Sequence, residues 1–242
     1  MKLVVLILLL IIILFIKLYK NLEGFDTKHN FNNIINHIYV INLEQSKKRL
    51  NKLNHMANNA GITIERFPAI LGKNLNFNYL ENKGYLENKK IINFNGNLGC
   101  YMSHCLLLEK IYKENKYINV LILEDDCLIN PTFRKQMDDI VEYIPQEFDY
   151  IMLGSGRRKG KSYNDKFLQP EEGNISGQNA GLFGYIVKVK NIPNILKLIK
   201  PIRDNIYIDT VLRRNFTKLN VYIIKENIIN HNYDFKSDRG SL

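Results

Sequence analysis

Residues Tyr117 to Asn130 read YINVLILEDDCLIN, and this stretch decides the fold. Val120, Leu121, Ile122 and Leu123 form an unbroken apolar run. A strand of that kind is covered on both faces, as in the middle of an α/β sheet. Glu124, Asp125 and Asp126 follow with no basic residue among them. Side chains alternate along a strand, so Glu124 and Asp126 are predicted on one side and Asp125 on the other. Two same-side carboxylates at a strand's C-terminal end supply hard oxygen ligands for Mg²⁺ or Mn²⁺. Ligands of open α/β sheets bind at that end. A solvated acidic turn after a core strand explains the triplet equally well on its own.

Outward from the triplet, the chain alternates strand and helix. HIYVINL at 37–43 reads as a strand, residues 44–60 as a helix with Leu50, Leu53, Met56 and Ala57 on one face, and residues 62–70 as a second strand. That β-α-β opening favours a parallel sheet. Residues 72–97 read as an irregular stretch with a short helix, and 98–114 as a helix leading into the acidic strand. After the triplet come a helix at 131–143, a strand at 148–153 and a long polar loop at 154–177 carrying RRKGK at 157–161. A loop of that length reads as a functional lid. A strand at 181–190 follows, with glycines that permit a close backbone approach to a ligand. Helices at 192–200 and 206–216, a strand at 219–225 and a polar tail containing His231 complete the chain.

The 242 residues, 45% hydrophobic and 24% charged, suffice for one α/β domain. Lysine and arginine number 34 against 24 acids, a net charge of +10. The cations are scattered and form no nucleic-acid module, so no nucleic-acid partner is expected; a diphosphate ligand uses the same charge. Three cysteines, Cys100, Cys105 and Cys127, are too few for a disulfide framework, and no ligand spacing indicates zinc. Residues 1–20 hold the apolar run LVVLILLLIIILFI at 3–16 and read as a signal anchor, with 21–36 as a polar stem. The run is short against the roughly 20 residues of a bilayer crossing, unless Lys17 snorkels. A cleaved signal peptide is the other reading, although Leu22-Glu23-Gly24 makes a poor cleavage site. Asn174 and Asn215 head glycosylation sequons.

Six pieces occur in order: IYVINLEQSKKRL at 38–50, FPAILGK at 67–73, NGNLGCYMSH at 95–104, LILEDDCLINPTF at 121–133, GLFGYIV at 181–187 and IDTVL at 208–212. Together they resemble glycosyltransferase family 25, whose members include lipooligosaccharide and collagen hydroxylysine galactosyltransferases. The resemblance implies a GT-A-type α/β fold, a mostly parallel central sheet flanked by helices, with residues 37–242 as the catalytic domain. It implies a UDP-sugar donor, commonly Mn²⁺ (or Mg²⁺), and inverting transfer of a hexose, galactose or glucose, to a hydroxyl on a glycan or protein acceptor. It also argues for a lumenal domain on a single-pass anchor, whereas the heavier positive charge after the apolar run argues for a cytosolic one.

Under that resemblance the residues take roles. Asp126 is the first metal ligand, with Glu124 holding the ion, a metal-bound water or the donor ribose, and Asp125 contacting the ribose or bracing the turn. His231 matches the late histidine that closes the metal site in several GT-A enzymes; a surface histidine in a polar tail is the alternative. Ser237 and Asp238 resemble a C-terminal Ser-Asp pair that binds diphosphate or orders the tail. Asn42 and Arg49 belong to the opening motif, Arg49 as a forked donor to nucleotide or phosphate. Lys48 stands where the family often has another arginine, and Leu71 where it often has an acid. Gly99, Ser103 and His104 are expected at a helix start, where amides meet an anion and His104 reaches the donor. Asp209 is the expected general base, since a metal-bound carboxylate is a weak one; a helix N-cap is its plain structural reading. A non-catalytic scaffold of the same fold remains the alternative function. A Mg²⁺-dependent phosphohydrolase also uses clustered acids, but no nucleophilic-Asp motif follows a strand here.

Overall fold

The computed structural model describes Ile12 and residues 30–88, 95–171, 178–203 and 207–235. The expected apolar anchor, apart from Ile12, lies outside these residues, as do the sequon Asn174 and the pair Ser237 and Asp238. Among the described residues no helix is long and apolar enough to cross a membrane.

Ten strands are described: β1 (His37–Asn42), β2 (Glu65–Pro68), β3 (Asn119–Glu124), β4 (Cys127–Ile129), β5 (Tyr150–Met152), β6 (Lys161–Ser162), β7 (Phe167–Gln169), β8 (Gly184–Lys188), β9 (Val221–Ile224) and β10 (Ile229–His231). The helices are α1 (Phe31–Ile34), α2 (Lys47–Asn59), α3 (Phe77–Asn82), α4 (Asn95–Glu114), α5 (Phe133–Asp138), α6 (Ile192–Ile199) and α7 (Ile208–Arg213). Eight strands form one sheet in the order β2-β1-β3-β8-β5-β9-β7-β6, and β4 pairs with β10 in a separate ribbon. Within the large sheet only β8 and β7 run against the other six strands. This mostly parallel sheet flanked by helices is the α/β architecture expected for a GT-A-type fold.

The acidic strand lies inside the sheet, between β1 and β8. Val120, Leu121, Ile122 and Leu123 are each 0% exposed, and burying such side chains stabilises by about 1.5–3 kcal/mol apiece. Alternation divides them between two cores. Val120 and Ile122 pack with Tyr39, Ile41 and the inner residues of α4 and α6. Leu121 and Leu123 pack with Ile38, Val40, Leu53 and Ala57 of α2, and Phe133 of α5. The same period carries Glu124 toward α4 and Asp125 toward α2, which sets their partners.

Several local expectations are corrected. α4 begins by Asn95, so Gly99, Ser103 and His104 lie inside the helix and not at its first amides. His231 belongs to β10, in register with Cys127 of β4, and not to a polar tail. The 154–177 stretch contains the β6–β7 hairpin at the far edge of the sheet. The space beside Gly184 is filled by Ile229 and Leu123 side chains, each 3.0 Å from where a Cβ would sit, and not by a ligand.

Candidate functional site

Where β3 ends, the acidic triplet turns into β4, and each of its carboxylates meets a different element. Asp125 faces α2: Asn42 Nδ2 donates to its Oδ2 at 2.6 Å and Arg49 Nη1 to its Oδ1 at 3.1 Å. Arg66 of β2 braces Asn42 by donating to its Oδ1 at 3.0 Å. Asn42 and Arg49 therefore position Asp125. Burial of Asp125 raises its pKa to about 6, with Asp126 adding to the rise, against the opposing pull of Asn42 and Arg49.

This raised pKa has a sign that can be tested. Between pH 3.8 and about 6 the folded protein holds the Asp125 proton that the unfolded chain has released, so stability falls as pH rises through that window. The shift of roughly two units corresponds to about 3 kcal/mol. In metal-free protein, Asp125→Asn keeps one of the two acceptor oxygens that serve Asn42 and Arg49, a cost that does not vary with pH, and cannot ionise. Urea unfolding of both proteins from pH 4 to pH 7 is expected to show the wild type losing about 3 kcal/mol relative to the variant. Parallel curves would remove Asp125 as the titrating group.

Glu124 faces α4, where His104 Nε2 lies 3.2 Å from its Oε1. The ring is wholly buried, and its Nδ1 lies 2.8 Å from the Tyr185 hydroxyl. Burial opposes charge on the ring, but Tyr185, Cys100 and Glu124 outweigh it and carry the pKa well above the ordinary histidine value. Glu124 is thus held by a buried imidazole. Asp126 faces the β4–β10 ribbon: its Oδ2 lies 3.4 Å from His231 Nε2, and its backbone carbonyl accepts from Asn232 N at 2.7 Å. Among the described residues, Asp126 Oδ1 is buried without a hydrogen-bond partner.

Two adjoining clefts share Cys100, Glu124 and Asp126. The first is walled by Ile41, Leu43, Ala69, Ile70 and Leu71, with Arg49, Ser103, His104 and Asp125 at its polar end. The second adds Asp209, His231, Tyr207, Phe183 and Phe235. Neither is lined by Arg157, Arg158, Lys159 or Lys161.

Gly99 and Ser103 shape the first cleft from behind. A Cβ on Gly99 would lie 2.6 Å from Ile70 O and 2.7 Å from Gly72 N, so only glycine lets α4 approach this wall. Ser103 Oγ donates to Gly99 O at 2.7 Å and accepts from Ile70 N at 2.8 Å.

Asp209 lies in the first turn of α7, but the N-cap is Tyr207. Its Oδ2 accepts from Gly181 N at 3.0 Å. Gly181 has φ +91°, where a Cβ would strike the Phe183 ring at 2.0 Å. The carboxylate therefore clamps the 181–183 turn against α7 instead of capping its own helix. At the C-terminal side, Phe235 lies under Arg49 and Lys52, 5.4 and 5.1 Å from ring centroid to cation. The chain is thereby brought to the cleft two residues before Ser237. Sequence reasoning did not identify Tyr185, Arg66 or the Tyr207–Phe183–Phe235 wall; all are reached only through tertiary contacts.

The fold is a mixed α/β one, and its acid-lined clefts lie at the C-terminal end of β3. The sequence pattern of glycosyltransferase family 25 (LPS biosynthesis protein) matches residues 35–212, and the chain belongs to this family. It is 26% identical over 184 residues to a "Glycosyltransferase 25 family member" of Aedes aegypti, covering 72% of this chain and 30% of the relative. A protein of the same description from Drosophila melanogaster is 26% identical over 215 residues, 83% of this chain and 33% of the relative. The chain thus spans about a third of the length of these curated relatives. Among solved structures, A197 from STIV matches with a TM-score of 0.43 and 16% identity, covering 83% of this chain and 85% of that one. A glycosyltransferase involved in glycosylation of the PBCV-1 major capsid matches with a TM-score of 0.34 and 9% identity, covering 67% and 65%. Likenesses this loose bear on neither the topology nor the chemistry.

Proposed function

We propose that this chain is a metal-dependent glycosyltransferase that moves a hexose, galactose or glucose, from a UDP-sugar to a hydroxyl of a glycan or protein acceptor, with inversion. Membership of family 25 supports glycosyl transfer. The observation that carries the finer reading is the gathering of Glu124, Asp126, His231 and Asp209 around one cleft at the C-terminal end of β3.

Asp126 and His231 fit as two ligands of a divalent ion. A buried anionic oxygen without a donor is costly, and Asp126 Oδ1 is one. Asp126 and His231 together offer oxygen and imidazole nitrogen, which suits Mn²⁺ better than Mg²⁺; Glu124 would complete the protein's share of ligands. When bound, the ion stabilises the charge that gathers on the departing diphosphate. Arg49 and the apolar walls of the first cleft suit a nucleoside and its phosphates. Asp209 keeps one oxygen on Gly181 N and offers the other to an acceptor hydroxyl, whose proton it takes as the sugar bond forms.

UDP release is the direct assay. A panel of UDP-sugars incubated with the protein and Mn²⁺ is expected to give UDP from one hexose donor, and none after chelation. No release from any donor by folded protein, with nucleotide binding retained, would favour the non-catalytic scaffold.

A further inference from the structure

Beside the Asp126 edge lies a second group of ligand-type side chains. Cys100 and His104 are four residues apart on α4, so they project from one face of the helix. Their sulfur and ring nitrogen, with a Glu124 carboxylate oxygen, all lie within 4.8 Å of one another. His104 Nε2 and Glu124 Oε1 stand 3.2 Å apart. Two ligands of one tetrahedral Zn²⁺ stand roughly 3.3 Å apart at nitrogen and oxygen bond lengths of about 2.0–2.1 Å. Tyr185, at 2.8 Å from Nδ1, orients the ring so that Nε2 is the ligating atom, as the outer partners of metal-bound histidines do. Cys105 and Cys127 are wholly buried, whereas Cys100 is half-buried and lines both clefts. An ion entering either cleft reaches its sulfur.

We propose that Cys100, His104 and Glu124 form a Zn²⁺ site with its fourth position open to the cleft. A thiolate, an imidazole and one carboxylate select zinc over Mn²⁺ or Mg²⁺, which prefer oxygen. Binding forms the bonds from zinc to the Cys100 sulfur and to His104 Nε2 as the thiol proton and any proton on Nε2 leave to solvent, so affinity rises with pH. The remaining donor-to-donor gap closes by side-chain rotation at Cys100. Glu124 is common to this site and to the Asp126 edge. Zinc on the sulfur side draws that carboxylate away from Asp126 and so inhibits transfer. The inhibition rests on the function proposed above; the binding does not.

Cobalt(II) is the probe, because its thiolate complexes absorb where Mn²⁺ and Zn²⁺ do not. Chelator-treated, reduced full-length protein titrated with Co²⁺ is expected to develop a thiolate charge-transfer band and the intense d–d bands of a four-coordinate ion. Both should saturate at one ion per chain and bleach with one equivalent of Zn²⁺. Cys100→Ser should abolish the charge-transfer band. Glu124→Gln, checked for a cooperative melt, should weaken Co²⁺ binding at least ~10-fold. Asp126→Ala should retain the band even where Mn²⁺ dependence is lost, so the two sites fail separately. The proposal is overturned if folded wild type shows no charge-transfer band at saturating Co²⁺. It is equally overturned if the band survives Cys100→Ser or disappears in Asp126→Ala.

Discussion

Asp126→Ala is expected to lower turnover at least ~10²–10³-fold, the scale of losing a main stabiliser of transition-state charge, while the protein still melts cooperatively. The two halves of this expectation have separate causes. Asp126 lies beyond the last residue of β3, and its side chain adds nothing to either hydrophobic core. Its Oδ1 satisfies no donor among the described residues, so truncation strands no partner there. The charge it offers to a metal is lost entirely. Turnover within ten-fold of wild type in Asp126→Ala would defeat the metal assignment, whatever the state of the fold.

The second large effect belongs to Asp209. Asp209→Asn retains an oxygen to accept from Gly181 N, so the clamp on the 181–183 turn persists. It removes the basicity that an inverting transfer requires. A fall in kcat of at least ~10²-fold is expected, with UDP-sugar binding within a factor of about two of wild type. Asp209→Ala should show the same loss and, in addition, a stability cost of about 1–2 kcal/mol for the unpaired Gly181 amide. Steady-state kinetics with thermal melts of both variants separates the roles. Near-normal kcat in Asp209→Asn would leave only the clamp.

The central strand was legible because burial on two faces leaves a direct mark in sequence. Val120 to Leu123 permit no polar residue, and the acids begin where the sheet ends. From that period alone, Glu124 and Asp125 were assigned to opposite sides, and the structure gives them α4 and α2 as partners. The start of α4 was hidden. Asn and Gly in NGNLG have poor intrinsic helix propensity, and what holds them helical includes a tertiary fit, Gly99 against the 70–72 backbone. Ser103 was read at a helix start; it lies inside α4, where its hydroxyl donates to Gly99 O and accepts from Ile70 N.

His231 escaped correct placement for another reason. β4 and β10 have three residues each, too short for alternation to register. Only their pairing draws the histidine from an apparent tail to Asp126. A helix cap was the plain structural alternative for Asp209 because acids favour helix starts. Its actual partner, Gly181, is 28 residues away and carries no sequence sign of the contact. The Cys100–His104–Glu124 group was invisible to a scan for zinc spacing because its third ligand comes from a strand 20 residues past the histidine.

The account stands or falls on whether metal and nucleotide meet at the Asp126 edge. Thermal denaturation with Mn²⁺, with UDP and with both tests this most directly. Wild type is expected to gain little from either alone and about 5–10 °C from the pair, the shift for a ligand near 100-fold above its dissociation constant in a chain of this size. In Asp126→Ala the gain from the pair should vanish. Equal stabilisation by UDP with and without Mn²⁺, or an undiminished gain in Asp126→Ala, would contradict it.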